Sequence, residues 1–171
     1  MKKVLIISAS DSDLATMSDA AKTLEEFGVP YQITISSAHR SPERSIKLVE
    51  KFHKDGGKVI ICGAGLAAHL AGVVAAHFPL PVIGIPLGNG PLAGQDALYA
   101  TVQMPPGIPV ATVGIDNAKN AAILAVQILA TSDKTLEKKL IEYKKGLADG
   151  VEKKAKKLDD LGLENYLSEK K

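Results

Sequence analysis

A chain of 171 residues, 46% apolar and 23% charged, has the make-up of one folded domain and is long enough to bury a core without disulfide or metal staples. Its 21 basic residues against 19 acidic ones leave a net charge of +2, too small to steer a nucleic-acid polymer or an anionic membrane surface, though a small anionic ligand stays open. The opening MKKVLIIS holds an apolar run of only four residues before serine, too short for a signal segment or a membrane span, so a cytoplasmic location is expected.

The first element is KVLIIS (3–8), nearly continuous in Val, Leu and Ile as a buried parallel strand requires. SASDSD follows, placing Ser10, Ser12 and Asp13 at a helix start, where hydroxyls and free amides suit phosphate or ribose oxygens or serve simply as a cap. The helix predicted over 12–27 carries Leu14, Met17, Ala21, Leu24 and Phe27 on one stripe and stops at Gly28. YQITIS (31–36) is the second strand, and it runs into SSAHRSPE (36–43). Ser41-Pro42 starts a helix over 41–54 with Ile46, Leu48, Val49 and Phe52, which leaves His39 and Arg40 in the turn at the strand's carboxyl end. Arg40 is the forked cation a phosphate needs, and His39 is a proton carrier near neutral pH, or an imidazole bonded within its own turn.

KVIICG (58–63) is the third strand, and its Cys62, the lone cysteine, suits a buried strand position better than a nucleophile's. CGAGLAAHLAG then matches G-x-G-x-x-A through Gly63, Gly65 and Ala68. It follows the third strand instead of the first and meets no acid before Asp96, so it predicts close backbone approach to a ligand and no dinucleotide. A small, almost wholly apolar helix is predicted over 66–77; His69 within it fits a structural role, and His53 and His77 fall at helix ends. LPVIGIP (80–86) and GIPVATVGI (107–115) complete five strands, with the glycine-rich 88–95 between them expected as a mobile cover and a further buried helix over 118–130. Strand and helix alternating in this way imply a three-layer α/β/α sandwich around a parallel, flavodoxin-like sheet, with its ligand loops at the carboxyl ends of the strands.

Residues 133–171 break the alternation. Leu136, Leu140, Tyr143, Leu147, Val151, Ala155 and Leu158 form a narrow apolar stripe on a charged helix, which points to packing on another subunit in preference to lying on its own sheet. Lysines and acids are interspersed, so a polyanion-binding tail is not expected, and Gly146 and Gly150 either allow close helix contact or weaken the helix there.

Taken together, SASDSDLATM, SSAHRSPER, CGAGLAAHLAGVVAAH and LYATVQMPPGIPVATVGIDNAKNAAILAVQIL resemble the PurE family of purine biosynthesis, over essentially the whole chain, 1–171, as one domain with 132–171 as a terminal helix reaching a neighbour. The resemblance is to the class I mutases, which convert 5-(carboxyamino)imidazole ribonucleotide to 4-carboxy-5-aminoimidazole ribonucleotide by decarboxylation and recarboxylation. It implies a homo-octamer, with no metal and no cofactor. Matched residue by residue, it implies His39 as general acid and base; Ser10, Asp13, Ser37 and Arg40 on ribose and phosphate, with Ser12 and Ala38 in the same two motifs; Gly63, Ala64 and Gly65 along the base; and His69 with Leu70 bordering it.

Three positions depart from the family pattern: Ala9 and Leu66 replace its usual glycines, and Ala71 its usual proline. These leave a non-catalytic ribonucleotide-binding paralogue as one alternative. The sister carboxylase, which uses free carbon dioxide, is another. That class resembles Ser-Ala-His-Lys and lacks Ala-Ala-His, so Arg40 and His69 point to the mutase.

Overall fold

Five short runs of β-branched and aliphatic residues pair in parallel in the order β2-β1-β3-β4-β5: β1 Val4–Ser8, β2 Tyr31–Ile35, β3 Val59–Gly65, β4 Val82–Leu87 and β5 Ala111–Thr112. A computed structural model describes this arrangement for residues 1–169. Registers start at Val4 opposite both Tyr31 and Val59, at Ile60 opposite Val82 and at Ile83 opposite Ala111. The order reverses direction between β1 and β3, which puts a topological switch point, and with it a crevice, at the carboxyl ends of these strands.

Every residue of β1 and β4 is buried, as a strand covered on both faces demands, and each of their fully buried Val or Ile side chains is worth about 1.5–3 kcal/mol. Leu5, Ile7, Ile60, Cys62 and Ala64 face α2 (Pro42–Lys54) and α3 (Leu70–His77) in one core, through Val49, Phe52, Leu70 and Val74. On the opposite face α1 (Leu14–Phe27) brings Met17 against Gly63, where a Cβ would stand 2.2 Å from the Met17 sulfur. Gly63 is therefore a packing glycine. α1 ends as predicted, with Gly28 at φ 72 accepting the left-handed turn that other residues resist.

Four details differ from the sequence reading. The fifth strand is two residues long and partly exposed, because GIPVATVGI carries a proline and two glycines that leave no continuous ladder at a sheet edge. β3 runs on through Ala64 and Gly65, so the Gly-Ala-Gly stretch is strand and not loop, and α3 starts at Leu70 after a turn at 66–69. The region expected as a cover, 88–95, leads at its last residue into a helix the sequence did not predict, α4 (Gln95–Val102), which lies against β4. Its Gly94 takes φ 84 at the helix start, a conformation closed to most side chains.

The chain divides into two compact units, Met1–Leu129 and Ala130–Lys171. The first contains the sheet and α5 (Ala118–Ala130) up to its last residue. The second is dominated by α6 (Lys134–Ser168), whose N-terminus is capped by the Asp133 carboxylate, accepting from the amides of Thr135 at 2.9 Å and Leu136 at 3.2 Å. Within the predicted stripe Leu136 and Leu140 are buried, but Leu147, Val151 and Leu158 are exposed, Val151 by 63%. The break in α6 falls at Gly162, with φ 70 and ψ 164, and not at Gly146 or Gly150, which stay helical. Among the described residues no helix is long and apolar enough to cross a membrane.

Candidate active site

The carboxyl ends of β1, β2, β3 and β4 open into a crevice of about 490 Å³. Seven of the predicted residues line it: Ser10, Ser12, Asp13, Ser37, His39, Arg40 and Gly65. His69 joins them through its ring, and Ala38, Gly63, Ala64 and Leu70 lie behind, half-buried or buried. Leu70 is 1% exposed and belongs to the core, and Gly63 and Ala64 form the strand floor beneath the crevice.

The turn that carries His39 is built from local polar chemistry. Ser41 donates its hydroxyl to the Ser37 carbonyl at 3.1 Å and accepts from the Ser37 amide at 3.2 Å, while the Arg40 amide donates to the Ser37 hydroxyl at 3.2 Å. These serines satisfy backbone groups that neither sheet nor helix reaches, and they fix the turn beside Pro42. The Arg40 guanidinium swings back to within 3.5 Å of the Ala9 carbonyl, so the β1 and β2 loops share one cation.

His39 Nε2 stands 2.9 Å from His69 Nδ1, with the rings edge to face at 4.8 Å between centroids. His69 Nδ1 is also 2.8 Å from the Ala67 carbonyl. A carbonyl only accepts, so Nδ1 of His69 carries the proton, shared between Ala67 and His39. His39 Nε2 then accepts from it, so in this arrangement its lone pair is turned toward His69. Both residues are exposed, and His39 lines the crevice.

Asp13 is the buried charge of the site, at 4% exposure. Burial raises its carboxyl above the usual carboxylate range, against the opposing hydrogen bond from the Ser12 hydroxyl at 3.2 Å. Asn89 also donates its side-chain amide to Asp13. The neighbouring Asp11 goes the other way: hydrogen bonds from the Ser10 hydroxyl and the Ser12 backbone hold it below the ordinary value.

Asn89 and Leu66 line the same crevice and were not among the predicted site residues. Asn89 sits in a loop without periodicity, and its partner Asp13 lies 76 residues away, so no local signal marks it. Leu66 was visible as a departure from a glycine pattern, and its φ of 54 confirms that the backbone there is of the kind glycine favours.

Cys62 is 1% exposed, and burial pushes its thiol far above the normal range, which fits a structural residue. Among the described residues no group of three or more His, Cys, Asp and Glu could hold a metal ion.

Residues 3–150 match the family described as AIR carboxylase. The chain is 56% identical, over 96% of its length and 93% of the relative's, to the N5-carboxyaminoimidazole ribonucleotide mutase of Pyrococcus horikoshii. It is also 50% identical to the phosphoribosylaminoimidazole carboxylase of Schizosaccharomyces pombe, over 94% of this chain and 29% of that longer protein. Among solved structures it superposes on PurE of Treponema denticola with a TM-score of 0.86 and 31% identity, covering 92% of this chain and 99% of that one.

Proposed function

The chain belongs to the AIR carboxylase, or PurE, family, and from that premise we propose that it is an N5-carboxyaminoimidazole ribonucleotide mutase acting in purine biosynthesis. The observation that carries this reading is His39, paired with His69, lining a polar crevice that also presents Arg40, Ser10 and Asp13.

The reaction is an isomerisation. The bond between the exocyclic nitrogen and its carboxylate breaks, the electron pair stays on nitrogen, and carbon dioxide is freed. The adjacent ring carbon then attacks that carbon dioxide. One proton goes on to the nitrogen and one comes off the ring carbon, so atoms balance without any co-reactant. His39 carries these protons, with His69 holding its Nε2 in reach. Arg40 takes the phosphate as a forked donor, and the Ser10, Ser12 and Ser37 hydroxyls, the Ala38 main chain and the Asp13 carboxylate orient phosphate and ribose. Gly65 allows the base to approach the strand end, with Gly63 and Ala64 as its floor and His69 and Leu70 at its border.

Purified protein is expected to convert the carboxylated ribonucleotide with no added bicarbonate. A strict requirement for bicarbonate would favour direct carboxylation, and binding without conversion would favour a ribonucleotide-binding paralogue.

The protein acts in the cytoplasm as a homo-oligomer, an octamer, in which α6 packs on a neighbouring subunit. The exposed Leu147, Val151 and Leu158 support this, because a lone helix with an apolar stripe gains stability from packing and little from propensity. Light scattering is expected to give eight subunits and to show dispersal when residues beyond 150 are removed; a full-length monomer at working concentration overturns the assembly.

A further inference from the structure

We propose that Leu66 and Gly90 are a matched pair that seats the β4–α4 loop over the crevice, with the Leu66 side chain as the apolar wall that keeps carbon dioxide from water between the two half-steps. The second half of this rests on the mutase reading above; the first half does not.

Leu66 holds a left-handed backbone at φ 54, which a side chain with a Cβ resists, so the residue is kept against its own conformational preference. Its side chain reaches across to the next strand's loop. A methyl group built on Gly90 would come within 2.5 Å of Leu66 Cδ2, and the next nearest atom outside that side chain is an Asp96 oxygen at 3.7 Å. Gly90 does not take a left-handed backbone, so its lack of a Cβ has one visible purpose, which is to admit Leu66.

A second contact joins the same two segments. A Cβ on Gly65 would stand 2.2 Å from the Asn89 side-chain oxygen, so Gly65 and Leu66 together grip Asn89 and Gly90. Leu66 remains 53% exposed, and it lines the crevice beside His39 and Asp13. An aliphatic group at that place has no bond to offer a ribose or a phosphate. It does exclude water beside the proton carrier, where freed carbon dioxide must stay until the ring carbon attacks it.

The test uses Leu66→Gly, Gly90→Ala and the double variant in the full chain, with carboxylate-labelled substrate and excess unlabelled bicarbonate. Leu66→Gly removes the wall. Gly90→Ala displaces it, because the new methyl group takes the seat of a flexible side-chain end. Each single change is expected to lower the ratio of retained to exchanged label by about threefold or more, and the double variant to be no worse than the worse single one, since both lose the same contact. Losses that multiply, or label retention equal to that of the parent protein, overturn the pair as the barrier.

Limited proteolysis of the loop, which needs no turnover, reads the seat separately. Faster cleavage between residues 88 and 94 in both single variants, with no further gain in the double, supports it; cleavage unchanged in both overturns it. A parent protein with no conversion at all would remove the mutase reading and the retention role with it, leaving the seat to be decided by proteolysis.

Discussion

The two segments that frame the crevice are held by different means. The backbone of the β2–α2 turn, from Ser37 to Ser41, is tied by hydrogen bonds to serine hydroxyls that span no more than four residues, and it is the His39 and Arg40 side chains that reach further, to His69 and Ala9. The β4–α4 segment, 88–94, is tied from far away: Asn89 to Asp13 across 76 residues, the Gly88 amide to Asp116 across 28 at 2.9 Å, and Gly90 under Leu66. A turn that closes on its own residues owes its shape to local chemistry, whereas a loop that closes on distant residues takes its shape from the finished fold. The first is suited to holding a proton carrier at fixed distance. The second is suited to moving, since a few separate side-chain contacts hold it to the rest of the fold.

The sharpest way to break this contrast is at His39. His39→Asn keeps the serine-built turn and a polar side chain but removes the titrating nitrogen, so kcat is expected to fall by about 100-fold or more, with substrate affinity and melting temperature little changed. Single-turnover kinetics with a parallel binding titration check this. A kcat within a few-fold of the parent's would take His39 out of the chemistry.

Arg40 shares that turn, and Arg40→Lys tests whether rigidity there serves binding. The fork lost in this change is expected to raise KM by roughly 30-fold while kcat stays within a few-fold, because a point charge does not reproduce two parallel donors. Steady-state kinetics on both parameters decide it; an unchanged KM puts the phosphate elsewhere.

A smaller effect is expected in the other segment. Asn89→Ala removes one side-chain donor to a buried carboxylate, a bond worth about 1 kcal/mol net, so kcat/KM should drop by roughly fivefold. The loop should also become easier to cleave, which Ser41→Ala should not cause. Equal protease sensitivity in the two variants would erase the distinction between a local tie and a distant one.

The same distinction explains what could be read from the residues alone. Continuous apolar runs announced β1, β3 and β4, and Gly28 announced the end of α1, because those signals lie within a few residues of what they determine. Ser-Pro and the flanking serines likewise marked the His39 turn as a turn. The failures are the places where distant contacts or an edge decided the outcome. GIPVATVGI has strand propensity but only a short stretch paired to β4, and α4 begins at Gly94, whose unusual φ a glycine-rich sequence permits without predicting. His39 and Arg40 were legible as chemistry. Their partners, Ala67 through His69 and the Ala9 carbonyl, were not, since nothing in a pattern reports that a ring 30 residues on will come within 2.9 Å.

The smallest effect expected is the most direct test of how the distant loop and the buried charge depend on each other. Burial holds the Asp13 carboxyl above its ordinary value of 3.8, so the folded protein binds that proton more tightly than the unfolded chain does. The sign follows from linkage. Asp13 favours the fold in full below pH 3.8, and that contribution is lost as pH rises through the higher folded value, leaving a buried carboxylate that Ser12 and Asn89 only partly offset at neutral pH. Asp13→Asn keeps an oxygen that can accept from both neighbours and removes the charge. Its melting temperature is therefore expected to exceed the parent's at pH 7 and to lose the advantage as pH falls towards 4, even though the variant binds substrate less well. Melting curves of the two proteins at several pH values measure the difference. A variant less stable than its parent at pH 7, with the gap closing in acid, would mean that the hydrogen bonds from Ser12 and Asn89 outweigh the burial of the charge, and that the 88–94 loop is clamped by Asp13 more firmly than separable side-chain contacts imply.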